Sequence, residues 1–423
     1  MQNAKLIRLC NLALRSSIMA SKFLLVFLLA RFLSPAELGL FGLLSATIGY
    51  SLYLLGFDFY TFSTREMLKL EPTQWGELIK NQGATFLLLY VIVLPLLTLI
   101  FAKGLLPWKY SGWFFALIII EHLTQELGRL LIAISEPLFA SLILFLRQGI
   151  WGPLVIVAML LAPETRTLDY VLGGWCIGGL CGLLLGLYKL YNLKLGNWHK
   201  KIDWAWIVHG LKIAAALLVA TLALRGVLTL DRYWLQALSG AEVLGAYIIY
   251  ISIGNALMSF LDAGVFSFLY PALISSWQKK DPTAFLIALR RLATQTIIVS
   301  AIFFISALLL ISPLLHWLGK EVYISHKDMF PWILSATTLY GLGMIPHYAL
   351  YALGRDKTII LSHLLSLPIF ALTTWALSFH SKTLAVPGAL LGTFIFILIW
   401  KAGALFALRH EITSQLPTHT ANA

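Results

Sequence analysis

Apolar runs of about twenty residues, separated by short polar breaks, recur from one end of this chain to the other. A helix rises about 1.5 Å per residue, so each run matches the ~30 Å of hydrocarbon that a membrane helix must cross. Lipid offers no partner to a backbone N–H or C=O, and a continuous apolar run satisfies both only as a helix. Of the 423 residues, 59% are hydrophobic and 12% are charged, with a mean hydropathy of +0.84. A soluble protein carries roughly a quarter charged residues, so half that share cannot cover a water-facing surface.

The runs predict an all-α polytopic membrane protein with about twelve spans. They lie near residues 12–32, 38–60, 83–103, 111–134, 138–161, 168–190, 207–229, 243–270, 293–315, 329–353, 358–378 and 384–407. The fourth, seventh and tenth are the weakest, because polar groups interrupt them. An even total puts both termini on one side. Arg31, Lys103, Lys109, Arg166, Arg232, Lys320, Lys327 and Lys382 fall in breaks on the other side. The breaks on the side of the termini hold more than twice as many basic residues, among them Lys5, Arg8, Lys194, Lys401 and Arg409. Positive charge stays inside, so both termini are expected in the cytoplasm. The net charge of +12 is thereby a matter of topology, and no RNA- or DNA-binding motif accompanies it. The first run has no small-residue cleavage pattern and reads as a retained helix.

A faint internal copy divides the chain. Ser34-Pro35-Ala36-Glu37-Leu38-Gly39-Leu40-Phe41 returns as Ser239-Gly240-Ala241-Glu242-Val243-Leu244-Gly245-Ala246-Tyr247. Glu71-Pro72-Thr73 likewise returns as Asp281-Pro282-Thr283. Two equivalent halves in so apolar a chain suggest two lobes moving about a central site, the plan of a transporter. The expected division is a six-helix lobe over residues 1–190, a cytoplasmic linker over 191–206, and a second six-helix lobe with a short tail over 207–423. With six spans in each half, the lobes insert in parallel and their pseudo-symmetry axis runs along the membrane normal.

Charged groups inside such runs are costly and face a bundle interior or an aqueous cavity. In the fourth span Glu121, Gln125 and Arg129 share one helical face at four-residue spacing, with His122 and Glu126 beside them. Lys22, Arg147 and Arg225 lie deep in the first, fifth and seventh spans. Asp58 lies near the end of the second, Asp262 belongs to the eighth, and Asp231-Arg232 is expected near the outer rim. Structural pairing, such as Arg129 with Glu126, and snorkelling at helix ends compete with ligand contact. Lys22, Arg129, Arg147 and Arg225 are the candidate contacts for an anionic group, since Lys attracts phosphate and Arg grips it with paired hydrogen bonds. Asp58, Glu121, Glu126 and Asp262 are the candidates for gating or for carrying a coupling proton.

Other chemistry is unmarked. The histidines, including His347 and His363, are scattered without metal-ligand spacing, and Cys10, Cys176 and Cys181 read as apolar packing residues. No GxSxG and no P-loop occurs, so neither hydrolase chemistry nor ATP use is indicated, and no outward break is long enough for a catalytic domain. The chain is expected not to be an enzyme. No cofactor is expected, and an H+ or Na+ gradient or a downhill flux of substrate would supply the energy. Gly174, Gly178, Gly182 and Gly186 repeat every four residues along the sixth span and predict close backbone packing.

Several segments carry a family resemblance: Ala30-Arg31-Phe32-Leu33 leading into the first repeat copy, Leu55-Gly56-Phe57-Asp58, and Ser63-Thr64-Arg65-Glu66. In the second half the matching segments are Leu244-Gly245-Ala246-Tyr247, Gly264-Val265-Phe266-Ser267 and Tyr270-Pro271. In these the chain resembles the polysaccharide-export branch of the multidrug/oligosaccharidyl-lipid/polysaccharide (MOP) exporter superfamily, above all bacterial O-antigen flippases of the Wzx type. The resemblance implies a MATE-like pair of lobes in the bacterial inner membrane. It also implies flipping of an undecaprenyl-diphosphate-linked oligosaccharide, an O-antigen repeat unit of lipopolysaccharide, between leaflets by alternating access. Its partners would be this glycolipid, membrane lipid, and the glycan polymerase and chain-length machinery, with no nucleic acid. The alternatives are a multidrug or cation antiporter of the same fold, which would favour carboxylates and aromatics in its cavity, and a membrane glycan polymerase or transferase. A lipid II flippase, with two further spans, fits less well.

Overall fold

Every one of the twelve apolar runs is helical. The computed structural model describes residues 2–193, 195–409 and 411, and side chains from residue 13 onward within them, except at 72, 216 and 217. The expectations placed on the side chains of Lys5, Arg8 and Cys10, and on Lys194, lie outside the described residues. The helices are α1 (Gln2–Phe32), α2 (Pro35–Gly56), α3 (Tyr60–Met67), α4 (Trp75–Ala102), α5 (Ser111–Ala133), α6 (Pro137–Phe145), α7 (Trp151–Leu161) and α8 (Leu168–Asn192). They continue as α9 (Trp204–Ser239), α10 (Ala241–Leu261), α11 (Ser267–Gln278), α12 (Pro282–Leu318), α13 (Glu321–Ser325), α14 (Met329–Ala352), α15 (Asp356–Ser378) and α16 (Ala385–Ala407). A π-helical turn, Leu146–Ile150, fuses α6 and α7 into one rod, and a second, Asp262–Phe266, does the same for α10 and α11.

Among the described residues nine of these rods are long and apolar enough to cross a membrane. The number is ten if the two parts of α9, bent by 52° between Ala215 and Leu218, count as one. The helices α5 and α14 have 23 and 24 residues but fall outside that set. The exceptions are thus the fourth, seventh and tenth runs, the three that polar groups interrupt. Length and composition alone therefore return nine or ten crossings rather than twelve.

The chain forms two compact units, Met1–Leu222 and Ala223–Ala423. In the first, α2 is the central helix, with Leu38, Leu43 and Leu55 wholly covered. In the second, α10 plays this part through Leu244, Tyr247 and Tyr250. Of the candidate spans, α2 and the α10–α11 rod are the most enclosed, with 61% and 67% of their apolar windows buried. These are the helices that follow the two copies of the internal repeat. Ser34 caps α2 by accepting from the Glu37 N–H, while the Glu37 carboxylate accepts from the Ser34 N–H, a reciprocal capping box. In the second copy Gly240 takes the capping position of α10 at a φ of 88°, and Glu242 sits in its first turn. The repeat encodes the same joint twice: a long helix ends, the chain reverses, and the central helix begins. The lesser copy behaves alike, with Pro72–Gln74 forming a 3-10 turn ahead of α4 and Asp281 capping α12.

Within the first unit, residues beyond α8 dock back onto α4. Lys200 pairs with Glu77 at 2.6 Å, Lys80 donates to the Trp198 carbonyl, and the Asp203 N–H donates to Asn81. The four-residue glycine stripe of α8 faces the α6–α7 rod. A Cβ at Gly178 would stand 2.8 Å from the Leu146 carbonyl oxygen, and one at Gly182 would stand 3.1 Å from that of Ile143. The stripe therefore serves close helix packing. Replacing Gly178 by leucine is expected to force these rods apart at a cost of about 1–3 kcal/mol. This would be read as a lower melting temperature of the purified protein in detergent, whereas leucine at the open position Gly83 leaves it unchanged.

Candidate functional site

Polar groups that cannot face lipid gather in several places. The first lies where α1, α5, α8 and the first π turn meet. That turn carries Arg147, and its widened backbone leaves carbonyls for other donors. The Ser21 hydroxyl donates to the Gly149 carbonyl at 2.6 Å and the Trp151 indole to that of Arg147 at 3.0 Å. Arg147, 7% exposed, points to Glu121, 3% exposed, with Nε 3.2 Å from the carboxylate. Trp175 donates to the same carboxylate at 2.8 Å and stacks on Trp151. Lys22 donates to the Gln148 side-chain amide at 2.7 Å and lies within electrostatic reach of Arg147 and Glu121. Lys22 and Arg147, read from sequence as anion contacts, are thus brought together, but with a carboxylate between them.

The second cluster lies further along α5. Arg129 pairs with the buried Glu126 at 2.5 Å and stacks over the Tyr60 ring at 3.8 Å, while Gln82 donates to the other Glu126 oxygen. A cavity of about 190 Å³, lined by Gln82, Phe86, Leu123 and Glu126 among others, reaches this carboxylate. Beside it the fully buried His122 shares a 2.7 Å hydrogen bond with the Tyr90 hydroxyl. Gly56 makes room for this arrangement, since a Cβ there would meet His122 at 3.2 Å and Glu126 at 3.6 Å. Phe57 and Asp58 then turn the chain through left-handed φ angles of 52° and 50° into α3. Asp58 is buried within electrostatic reach of Tyr60 and Glu126. The shared face of Glu121, Gln125 and Arg129 is real, but the pairing departs from it: Arg129 reaches Glu126, and Glu121 is held across the bundle.

The second unit separates the remaining candidates. Arg225 and Asp262 are exposed and within electrostatic reach of each other, with Asp262 at the start of the second π turn. The pair Asp231-Arg232 lies within α9. Asp231 is wholly buried, pairs with Arg232 at 3.0 Å and accepts from Tyr247 at 2.5 Å. The third cluster corrects the reading of Lys401 as a residue of a polar break. It sits inside α16, 2% exposed, with its Nζ 3.2 Å from His347 of α14 and 3.1 Å from His363 of α15. Sequence reasoning also passed over Gln82, Tyr90, Gln148 and Trp175. Their signal was a polar or aromatic tip inside an apolar run, which many packing residues share.

No protein-family model matches the chain, and no curated protein matches it in sequence. Solved structures do. An inward-facing multidrug-resistance MATE transporter of the MOP superfamily superposes with a TM-score of 0.75 at 12% identity, over 96% of this chain and 99% of that one. A MATE protein in its straight conformation gives 0.58 at 13% identity, over 97% and 96%. A MOP superfamily transporter from Pyrococcus furiosus, described as having a binding pocket of reversed polarity, gives 0.54 at 11%, over 98% and 93%. The chain therefore has the MATE/MOP fold, all-α and polytopic. The solved structures that share this fold are described as transporters. The narrower resemblance to Wzx-type flippases is overturned by these matches, which are to MATE and other MOP-superfamily transporters along the whole length. With it go the assignments to flipping, O-antigen, lipopolysaccharide and polysaccharide export. The segments that carried that resemblance cap α2, turn the chain at Phe57-Asp58 and pack α10. Those are duties of the shared fold and carry nothing of a cargo.

The Arg147–Glu121 pair gives a stability test. Removing one partner leaves a buried charge uncompensated, so Arg147→Met is expected to cost about 3–5 kcal/mol, whereas Arg147→Met with Glu121→Met costs much less. Thermal unfolding of the single and double variants in detergent measures the difference, and equal losses would contradict the pairing.

Proposed function

We propose that the chain is a secondary transporter of the multidrug-export type, exchanging an organic cation for an inward-moving H+ or Na+ by alternating access. In this reading it lies in a bacterial cytoplasmic membrane with both termini in the cytoplasm. Two six-helix lobes, over residues 1–190 and 207–423, are joined by the linker 191–206. The observation that carries the reading is the pair of buried carboxylates on α5, each held by an arginine and surrounded by aromatic rings. That is the lining a cationic cargo favours, rather than the free basic lining expected from sequence.

The chemistry needs only a change of partner. With Glu126 ionised, Arg129 is bound to it; a proton or sodium ion reaching the carboxylate, or an organic cation competing for it and for the Tyr60 face, releases the guanidinium. A cation shifts the equilibrium between two openings only if it binds them unequally. A carboxylate whose arginine partner can be displaced in one opening alone meets that condition. Glu121 with Arg147, and Asp58 beside Tyr60, take the same role in this reading.

Lys22 favours a second reading. Its hydrogen-bond partner is a neutral amide, so Lys22, Arg147 and Glu121 together carry one surplus positive charge. That surplus suits an organic anion, and reversed pocket polarity has been described for the Pyrococcus furiosus relative of this fold. Transport by the protein in sealed proteoliposomes under an imposed pH or sodium gradient separates the two. Gradient-dependent movement of ethidium or tetraphenylphosphonium, reduced about tenfold in Glu126→Gln, is the expected result. Movement of organic anions alone would install the second reading, and movement of neither would reject transport of both classes.

A further inference from the structure

Lys401 is the one buried lysine among the described residues, and its surroundings set it apart from every arginine described above. It lies six residues from the end of α16, His347 five from the end of α14 and His363 seven from the start of α15. All three are therefore at one depth, roughly 8–10 Å from the helix ends. The rings of His347 and His363 lie parallel, 5.9 Å apart, and the lysine Nζ is within hydrogen-bond distance of both. Among the described residues no carboxylate pairs with it.

The described groups around the trio supply no counter-charge. On α14, Tyr348 packs edge-on against His347 at 5.5 Å, and Tyr270 of α11 stands behind Tyr348 at 4.7 Å. Asp262 reaches Tyr348 electrostatically but makes no ion pair with the lysine. On α15, Asp356 and Lys357 lie at the first turn, and nearby Arg355 is occupied by Glu411 at 2.6 Å. Arg409, beyond α16, lies over the Phe406 ring. On α16 itself Trp400 turns away to donate to the Thr358 carbonyl.

An ammonium so enclosed has two neutral acceptors and no anion. Each imidazole can accept from it through one nitrogen only while that nitrogen carries no proton. A second proton on the trio would set like charges about 3 Å apart, so the three groups share at most one. The lysine is covered, whereas both histidines are half-buried. Imidazole takes up a proton on one nitrogen and gives one from the other, as a relay requires. A sodium ion would be repelled by the same cationic group.

We infer that Lys401, His347 and His363 form an intramembrane proton-binding site, holding one exchangeable proton at the meeting of α14, α15 and α16. Its use as the energy-coupling site, with H+ rather than Na+ as the driving ion, rests on the transport reading above; the site itself does not. Two measurements on the full-length protein keep the claims apart. In detergent, the 15N signals of His347 and His363 and the 13Cε signal of Lys401, assigned by single substitution, should change together in one shared step as the pH is varied. Lys401→Met removes that step. In proteoliposomes Lys401→Arg, which keeps the charge but cannot give up its proton, should lower pH-gradient-driven transport about tenfold while leaving downhill exchange. Lys401→Met serves if the larger side chain disturbs folding. Independent titration of the three groups would overturn the site, even with transport intact. A shared step in a protein that moves no solute upholds the site and rejects the transport reading. A shared step with both variants still driven normally by pH overturns the coupling role.

Discussion

An ionised side chain in an apolar bundle must find its partner within the protein, because lipid has none to give. Much of this molecule's internal arrangement follows from that demand. Arg147 reaches from the α6–α7 rod to Glu121 on α5, and Trp175 of α8 closes on the same carboxylate. Arg129 and Gln82 share Glu126, tying α4 to α5. In the second unit Tyr247 of α10 secures the buried Asp231 of α9, and Lys401 draws α14 and α15 onto α16. Apolar packing would hold these helices together in several rotations. The paired charges select one of them, since any other leaves an uncompensated ion.

The two π turns show how the fold makes such placements. Each widens a rod by one residue at a charged position, Arg147 in one and Asp262 in the other. Carbonyls of the first turn accept from Ser21 and Trp151, and the Asp262 carbonyl of the second accepts from the Ser267 hydroxyl. Without the extra residue, Arg147 would lie on a different face of its helix. The backbone defect and the ion pair are one feature, and π turns recur where function asks for unusual side-chain aim.

Caps, reversals and glycine stripes belong to the architecture rather than to the cargo. Ser34 with Glu37, Gly240 at the start of α10, and Gly178 against the Leu146 carbonyl serve the joining and packing of helices. A likeness built on them extends to transporters of unlike substrates, because a fold hosts many sites. In the proposed reading the residues that would discriminate cargo are fewer and lie elsewhere: Lys22 and Gln148, Tyr60 with Arg129, and Gln82 at the small cavity.

The apolar runs determined the helices, since a stretch of that length without charges has no other low-energy form in lipid. The repeat marked two equivalent halves, though not that its two helices would be the most enclosed, and the interrupted runs marked the three that fall short as crossings. Spacing along α5 also placed Glu121 and Arg129 on one face. Their partners were beyond such reasoning. Glu121 is joined to Arg147, twenty-six positions away, and Lys401 to histidines thirty-eight and fifty-four positions away. Position near a polar tail made Lys401 resemble a surface charge, and only the packing of three helices around it showed a buried one. Periodicity reports which side of a helix is apolar; the tertiary structure decides which neighbour meets that side, and therefore which charges are paired and which protons can be shared.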